Sequence, residues 1–161
     1  MQVRAIKNGV MLIKQNKKHK IYIPKNMSKY MGRKMPVMRS TWEEKFARWL
    51  DSNPSVIRWG SENIVIHYYN PVKMRKARYY PDFYMEVEKN GKVVAYLTEI
   101  KPYKETRPPI NRGRKTKKTL LWEDKTYATN NAKWVAAIKW CTKMNMIFKI
   151  VTERELFGKK K

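Results

Sequence analysis

Tyr79-Tyr80-Pro81-Asp82-Phe83-Tyr84-Met85-Glu86-Val87-Glu88-Lys89-Asn90-Gly91-Lys92-Val93-Val94-Ala95-Tyr96-Leu97-Thr98-Glu99-Ile100-Lys101 reads as two extended runs joined by one turn pair. Asn-Gly is favoured where both central residues of a two-residue turn take positive φ. The stretch therefore predicts a β-hairpin, Tyr79 to Glu88 against Lys92 to Lys101. Partners are numbered symmetrically about Asn90 and Gly91, which sets Asp82 opposite Glu99 with Cβ atoms ~5 Å apart. Lys101 lies two residues beyond Glu99 and so projects from the same face. Facing carboxylates destabilise a sheet by repulsion, unless a divalent cation sits between them. Oxygen ligands of this kind suit magnesium or manganese. Such an ion makes a bound water more acidic and stabilises charge growing on a phosphate. Lys101 then orients the water or neutralises phosphoryl oxygens.

Working outward, Pro102 stops the second strand, and a basic loop with Pro108-Pro109 and Gly113 follows. Leu120 to Asn145 reads as a helix with Tyr127, Trp134, Ile138 and Cys141 on its apolar face, and Met146 to Thr152 as a closing strand. Upstream, Ser40 or Thr41 caps a helix whose first-turn acids Glu43 and Glu44 face the dipole favourably. Trp42, Phe46, Trp49 and Leu50 make its buried stripe, and Asn53-Pro54 ends it. Glu43 lies one turn from Phe46, Ala47 and Leu50, at the edge of the packed face, whereas Glu44 is rotated about 100° towards solvent. Glu43 is thus the third candidate acid. Val56 to Trp59 and Ile64 to Tyr69 are extended runs broken by Gly60-Ser61, and Pro71 to Arg78 is a basic connection. The order is arm, helix, three or four strands, helix, strand: a mixed α/β layer fold.

Charge points to a polyanion. Of 161 residues, 37 are Lys or Arg and 13 Asp or Glu, a net charge of +24. Residues 1–42 hold eleven basic residues and no acid, and residues 104–118 hold seven against Glu105 alone. A chain so charged repels itself unless nucleic acid or a similar partner neutralises it, and such binding weakens steeply with salt. Residues 1–38 read as a basic arm, with a short hairpin about Asn8-Gly9 and a brief extended run Ile21-Tyr22-Ile23; residues 158–161 read as a basic tail. The one cysteine, Cys141, excludes an internal disulfide and fits a reducing compartment. No apolar run approaches the ~18 residues of a membrane span, and no signal-peptide block opens the chain. A cytoplasmic protein with DNA as its partner is expected, with no membrane and no small-molecule substrate.

Glu43, then Tyr79-Tyr80-Pro81-Asp82-Phe83, then Glu99-Ile100-Lys101 resembles the motif of the PD-(D/E)xK nuclease superfamily. The resemblance implies a restriction-endonuclease-like αβββαβ core over residues 39–157. It also implies a metal held by Asp82, Glu99 and the Ile100 carbonyl, with Lys101 serving the water and Glu43 supporting the metal or its water. Arg39-Ser40-Thr41-Trp42-Glu43, Asn53-Pro54-Ser55-Val56-Ile57-Arg58-Trp59-Gly60-Ser61-Glu62 and Arg78-Tyr79-Tyr80-Pro81-Asp82-Phe83 are similar to the head completion nucleases of tailed phages. The TnsA-type transposon endonucleases are similar over the shared core. That likeness implies a virion-associated endonuclease, made in the host cytoplasm, acting on packaged DNA at the portal beside portal or head proteins.

Other residues carry weaker signals. Glu62 reads equally as a metal-side acid or as a partner for an arginine. Asn131 and Lys133 read first as helix-surface groups and second as phosphate contacts. His67 and His19 support neither a zinc site nor a histidine base, and Cys141 reads as core. Tyr79, Tyr80, Tyr103 and Trp122 are better explained by packing than by base stacking, which leaves the arm and the loop 104–118 as the expected phosphate contacts. Three rivals stand beside the nuclease: a non-catalytic DNA-binding head protein, a branch-specific resolvase, and an RNA-binding protein of ribosomal type. The first and third have no use for gathered carboxylates.

Overall fold

The hairpin forms with the expected register. A computed structural model describes residues 19–111, 113 and 115–158. In chain order the strands are β1 (Lys20–Ile21), β2 (Val37–Met38), β3 (Val56–Ser61), β4 (Ile66–Asn70), β5 (Arg75–Tyr79), β6 (Phe83–Lys89), β7 (Lys92–Ile100) and β8 (Ile147–Val151). The helices are α1 (Thr41–Ser52), α2 (Lys117–Lys143) and α3 (Glu153–Phe157). Asn90 and Gly91 take φ of 52° and 73°, and the β6–β7 ladder runs from Lys89↔Lys92 to Phe83↔Thr98. The turn chemistry sets every pair in that ladder.

The main sheet has the order β3-β6-β7-β8. Its first three strands are antiparallel and β8 runs parallel to β7. A parallel return needs a long crossover, which α2 provides. Elements α1, β3, β6, β7, α2 and β8 make the αβββαβ order, a mixed sheet flanked by helices of restriction-endonuclease-like type. The hairpin about Asn8-Gly9 and the tail 159–161 lie outside the described residues.

Three sequence expectations need correction. The strand before the turn does not begin at Tyr79: the chain leaves the ladder at Tyr80-Pro81-Asp82, where a buried proline has no N–H to donate. Tyr79 belongs instead to β5, which pairs with β4 as a separate ribbon, so Pro71 to Arg78 is a turn and a strand. The Asn70 side chain makes that turn by accepting the N–H groups of Val72 and Lys73 at 3.0 and 2.9 Å. Gly60-Ser61 falls inside β3, and the break comes at Glu62, where φ is 50°.

The two faces of the sheet carry two cores. Period-two alternation along β6 and β7 sends Phe83, Met85 and Ile100 to one face, against Phe46, Ala47 and Leu50 of α1. Leu97 goes to the other, against Ala137 and Cys141 of α2 and Ile66, Tyr68 and Tyr79 of the ribbon. Burying each large side chain contributes about 1.5–3 kcal/mol. Trp49 and Ile138, expected in the stripes, are 43% and 53% exposed. The buried line of α2 is Asn130, Trp134, Ala137, Cys141, and Ile138 is turned about 100° from Ala137.

Residues 19–38 pack onto the first core. Tyr22 and Met38 are buried, and β1 pairs with β2. Asp51, at the end of α1, is 2% exposed and holds this segment down. Its carboxylate accepts from Tyr22 Oη at 3.0 Å, from Lys25 N at 2.7 Å and from Asn26 N at 3.0 Å. Tyr30 lies across Trp59 with ring centroids 4.8 Å apart. No helix among the described residues is long and apolar enough to cross a membrane.

Candidate active site

Alternation puts Glu99 on the Leu97 face of β7, at the end of the strand where α2 and the ribbon flank it. Glu99 is 3% exposed. Its Oε2 accepts from Tyr79 Oη at 2.8 Å and its Oε1 lies 3.2 Å from Lys101 Nζ. Asp82, half-buried, stands one step beyond the last β6–β7 pair. Its Oδ2 accepts the Ile100 N–H at 2.7 Å, and its carbonyl accepts the Glu62 N–H at 3.1 Å. The sequence places Asp82 across from Glu99, and the structure brings the two acids together with Lys101.

The electrostatics of the group follow from crowding. Burial first, then the neighbouring Glu99, pushes Asp82 well above the ordinary carboxylate range; the Ile100 N–H and Lys101 oppose this, and Glu43 adds to it. For Lys101, burial favours the neutral amine, but Glu99 and Asp82 outweigh it and the net shift is upward. Burial also raises the Tyr79 hydroxyl, reinforced by Glu99, so it stays a donor.

These groups line a cleft of about 470 Å³. Arg39, Arg78 and Tyr80 form its walls together with Lys133, which α2 presents 5.5 Å from the Tyr79 ring. Burial lowers Lys133, against the pull of Glu99. Lys133 is therefore a cleft residue, whereas Asn131 is exposed and does not line the cleft. Glu62 pairs with Arg39, which grips both of its carboxylate oxygens. Arg39 and Arg78 escaped the sequence reading as cleft residues, and Tyr80, assigned to packing from the sequence, is 40% exposed on the cleft wall. The signal for Arg78 was period-two spacing from Lys76, hidden while the stretch looked like a charged loop.

Glu43 stands apart from the other candidates. It sits in the first turn of α1 and its carboxylate is engaged by the helix cap, accepting from Arg39 N at 2.8 Å and contacting Ser40 Oγ at 2.9 Å. It does not line the cleft. Among the described residues no three acidic, His or Cys side chains form a ready metal cage. The pair Asp82 and Glu99 nonetheless fits a hard cation. It offers oxygen donors and excess negative charge, and among the described residues the ion pair it makes is that of Glu99 with Lys101.

The chain matches a known family and a known protein. Residues 53–153 match the family described as TnsA-like endonuclease N terminal, a span that holds Asp82, Glu99, Ile100, Lys101 and Lys133 but not Glu43. Over 136 residues the chain is 41% identical to the head completion nuclease of Enterobacteria phage T4, covering 82% of this chain and 89% of that protein. No solved structure matches. A mixed sheet with two acids and a lysine gathered at its end, within a match covering more than half of the chain, places this protein in the TnsA-like endonuclease N-terminal family.

Proposed function

We propose that the chain is a divalent-metal-dependent DNA endonuclease that hydrolyses phosphodiester bonds in the cleft between β7, the β4–β5 ribbon and α2. The observation that carries this reading is the crowding of Asp82 and Glu99 at one sheet end, with protonation of Asp82 favoured as long as no cation balances the pair. Asp82, Glu99 and the Ile100 carbonyl are the candidate ligands for magnesium or manganese. When bound, such an ion supplies an acidified water and a place for charge developing on the phosphate.

The chain's own groups do the positioning. Tyr79 Oη fixes one oxygen of Glu99 and the Ile100 N–H fixes one oxygen of Asp82, which leaves the second oxygen of Asp82 free to turn to the cleft. Lys101 Nζ donates to the attacking water or to a phosphoryl oxygen. Arg39, Arg78 and Lys133 bring positive charge to the walls where a phosphate enters. Glu43 supports the ion or its water once its carboxylate turns from the helix cap.

The name of the T4 relative supports a role in phage head completion. On that reading the protein is made in the host cytoplasm, becomes virion-associated, and acts on packaged DNA at the portal beside portal or head proteins. The test is cleavage of linear, nicked and branched DNA with and without magnesium, wild type beside Asp82→Ala. Metal-dependent cutting lost in the variant by about 10³-fold or more, a loss of at least ~4 kcal/mol of transition-state stabilisation, is the expected outcome. Binding of every DNA with cutting of none, in magnesium and in manganese, hands the protein to the non-catalytic reading. A preference for branched duplexes makes it a resolvase.

A further inference from the structure

The β4–β5 ribbon alternates cleanly. Ile66, Tyr68, Asn70 and Tyr79 face inward and are buried, while His67, Tyr69, Lys76 and Arg78 face solvent. Register sets the outward residues in two cross-strand pairs, His67 with Arg78 and Tyr69 with Lys76. From Asn63 to Pro81 the chain contains no carboxylate, but it contains Lys73, Arg75, Lys76 and Arg78. Among the described residues none of these four has an acid within ion-pair range, whereas Lys20, Arg39, Arg48, Arg58, Lys101 and Lys115 all do. The ribbon is thus a stretch where positive charge stands without any acid of its own, and, unlike the cations at the hairpin tip, it runs through Arg78 into the cleft wall.

We propose that the outward face of the β4–β5 ribbon grips the backbone of duplex DNA and feeds it into the cleft. The inference rests on the reading that DNA is the ligand. A two-stranded ribbon has the width of the B-DNA major groove. Its outward face bears cations, which pair with phosphates, and phosphate contacts position a duplex without reading its sequence. Lys76 and Arg78 take successive phosphates, Arg78 nearer the reacting one, and the Tyr69 ring, across the ribbon from Lys76, lies against the backbone on that side.

The test is binding of a short fluorescent duplex in EDTA, followed by anisotropy over a series of salt concentrations. Wild type is compared with Lys76→Ala/Arg78→Ala and with Lys89→Ala/Lys92→Ala. The second pair removes equal charge from the tip of the β6–β7 hairpin, about 23 Å along the strand from Glu99. Expected for the ribbon pair is a loss of ~10-fold or more at moderate salt, with a salt slope shallower by about 0.9 for each phosphate contact removed. The tip pair should stay within about twofold of wild type. Equal losses from both pairs, or an unchanged slope in the ribbon pair, overturn the proposal. All four side chains are exposed; if a melt shows the alanine pair unfolded, Lys76→Gln/Arg78→Gln keeps the apolar stems and is judged by the same slopes. Ribbon-dependent binding without any cutting in magnesium sinks the hydrolytic reading and leaves this one standing.

Discussion

Asp51 is buried and Asp82 half-buried at the cleft, and the two acids are held in opposite ways. Asp51 accepts from Tyr22, Lys25 and Asn26, so donors surround its charge and it fastens residues 19–38 to α1. Asp82 accepts one backbone N–H, faces Glu99 and is held towards its neutral form by burial and by that neighbour. The first acid is saturated by the fold; the second is left under-satisfied by it. Carboxylates that serve chemistry are found in the second condition, because unspent ligand capacity and repulsion are what a cation relieves.

The largest effect on folding should come from the saturated acid. Asp51→Ala strands the buried Tyr22 hydroxyl and two partly buried backbone N–H groups and should cost about 3 kcal/mol of unfolding free energy. A denaturation midpoint unchanged by this substitution would break the comparison. Asp82→Asn keeps an oxygen for the Ile100 N–H but removes repulsion from Glu99. It should abolish cutting while stabilising the metal-free protein by about 1 kcal/mol. Since Asp82 is raised in the folded state, its contribution to stability is fully present below the unfolded value, near 3.8, and is lost as pH rises through the raised one. The stability gap between Asp82→Asn and wild type should therefore widen from pH 4 towards neutral pH, and magnesium should close it by stabilising only wild type. Melting curves at several pH values read both signs; a gap that narrows with pH refutes the crowding. Tyr79→Phe frees one oxygen of Glu99 and should lower cleavage by about tenfold, ~1.4 kcal/mol, with little change in duplex affinity. The smallest effect belongs to Glu62→Gln. Its pair with Arg39 is partly exposed, so stability should move by less than ~1 kcal/mol, and a larger loss would make the pair part of the scaffold.

The same contrast explains what was legible in the sequence. Asn90-Gly91 announces its turn locally, and alternation then carries the register to Thr98, next to the candidate acid. Ser40 and Asn53-Pro54 mark α1 in the same local way. Asp51 was invisible, because an acid near a helix end looks like a solvated one until residues far away in the chain supply its donors. The ribbon was half-visible: β4 alternates apolar and polar residues, but Arg75 to Arg78 has an apolar residue only at Ala77, and its strand exists through pairing with β4. Lys133 was misread for a related reason. Helical spacing shows that it neighbours Trp134, but only the packing of α2 beside Tyr79 decides which way it points. Glu43 is a candidate because of its place at the edge of a packed face, but the cap that engages its carboxylate away from the cleft is also written in the sequence, in Ser40, three residues earlier.

The register of the β6–β7 hairpin has a consequence for how the chain can vary. Seven consecutive pairs separate the turn at Asn90-Gly91 from the two acids, so the loop acts as a gauge whose setting is read about 25 Å away. One residue added to that loop with the ladder re-paired would slide Glu99 past Asp82 and turn one of them to the opposite face. The tip of the hairpin, exposed and remote from the cleft, is therefore among the least free positions for changes of length, while changes of residue that keep positive φ there leave the acids where they are.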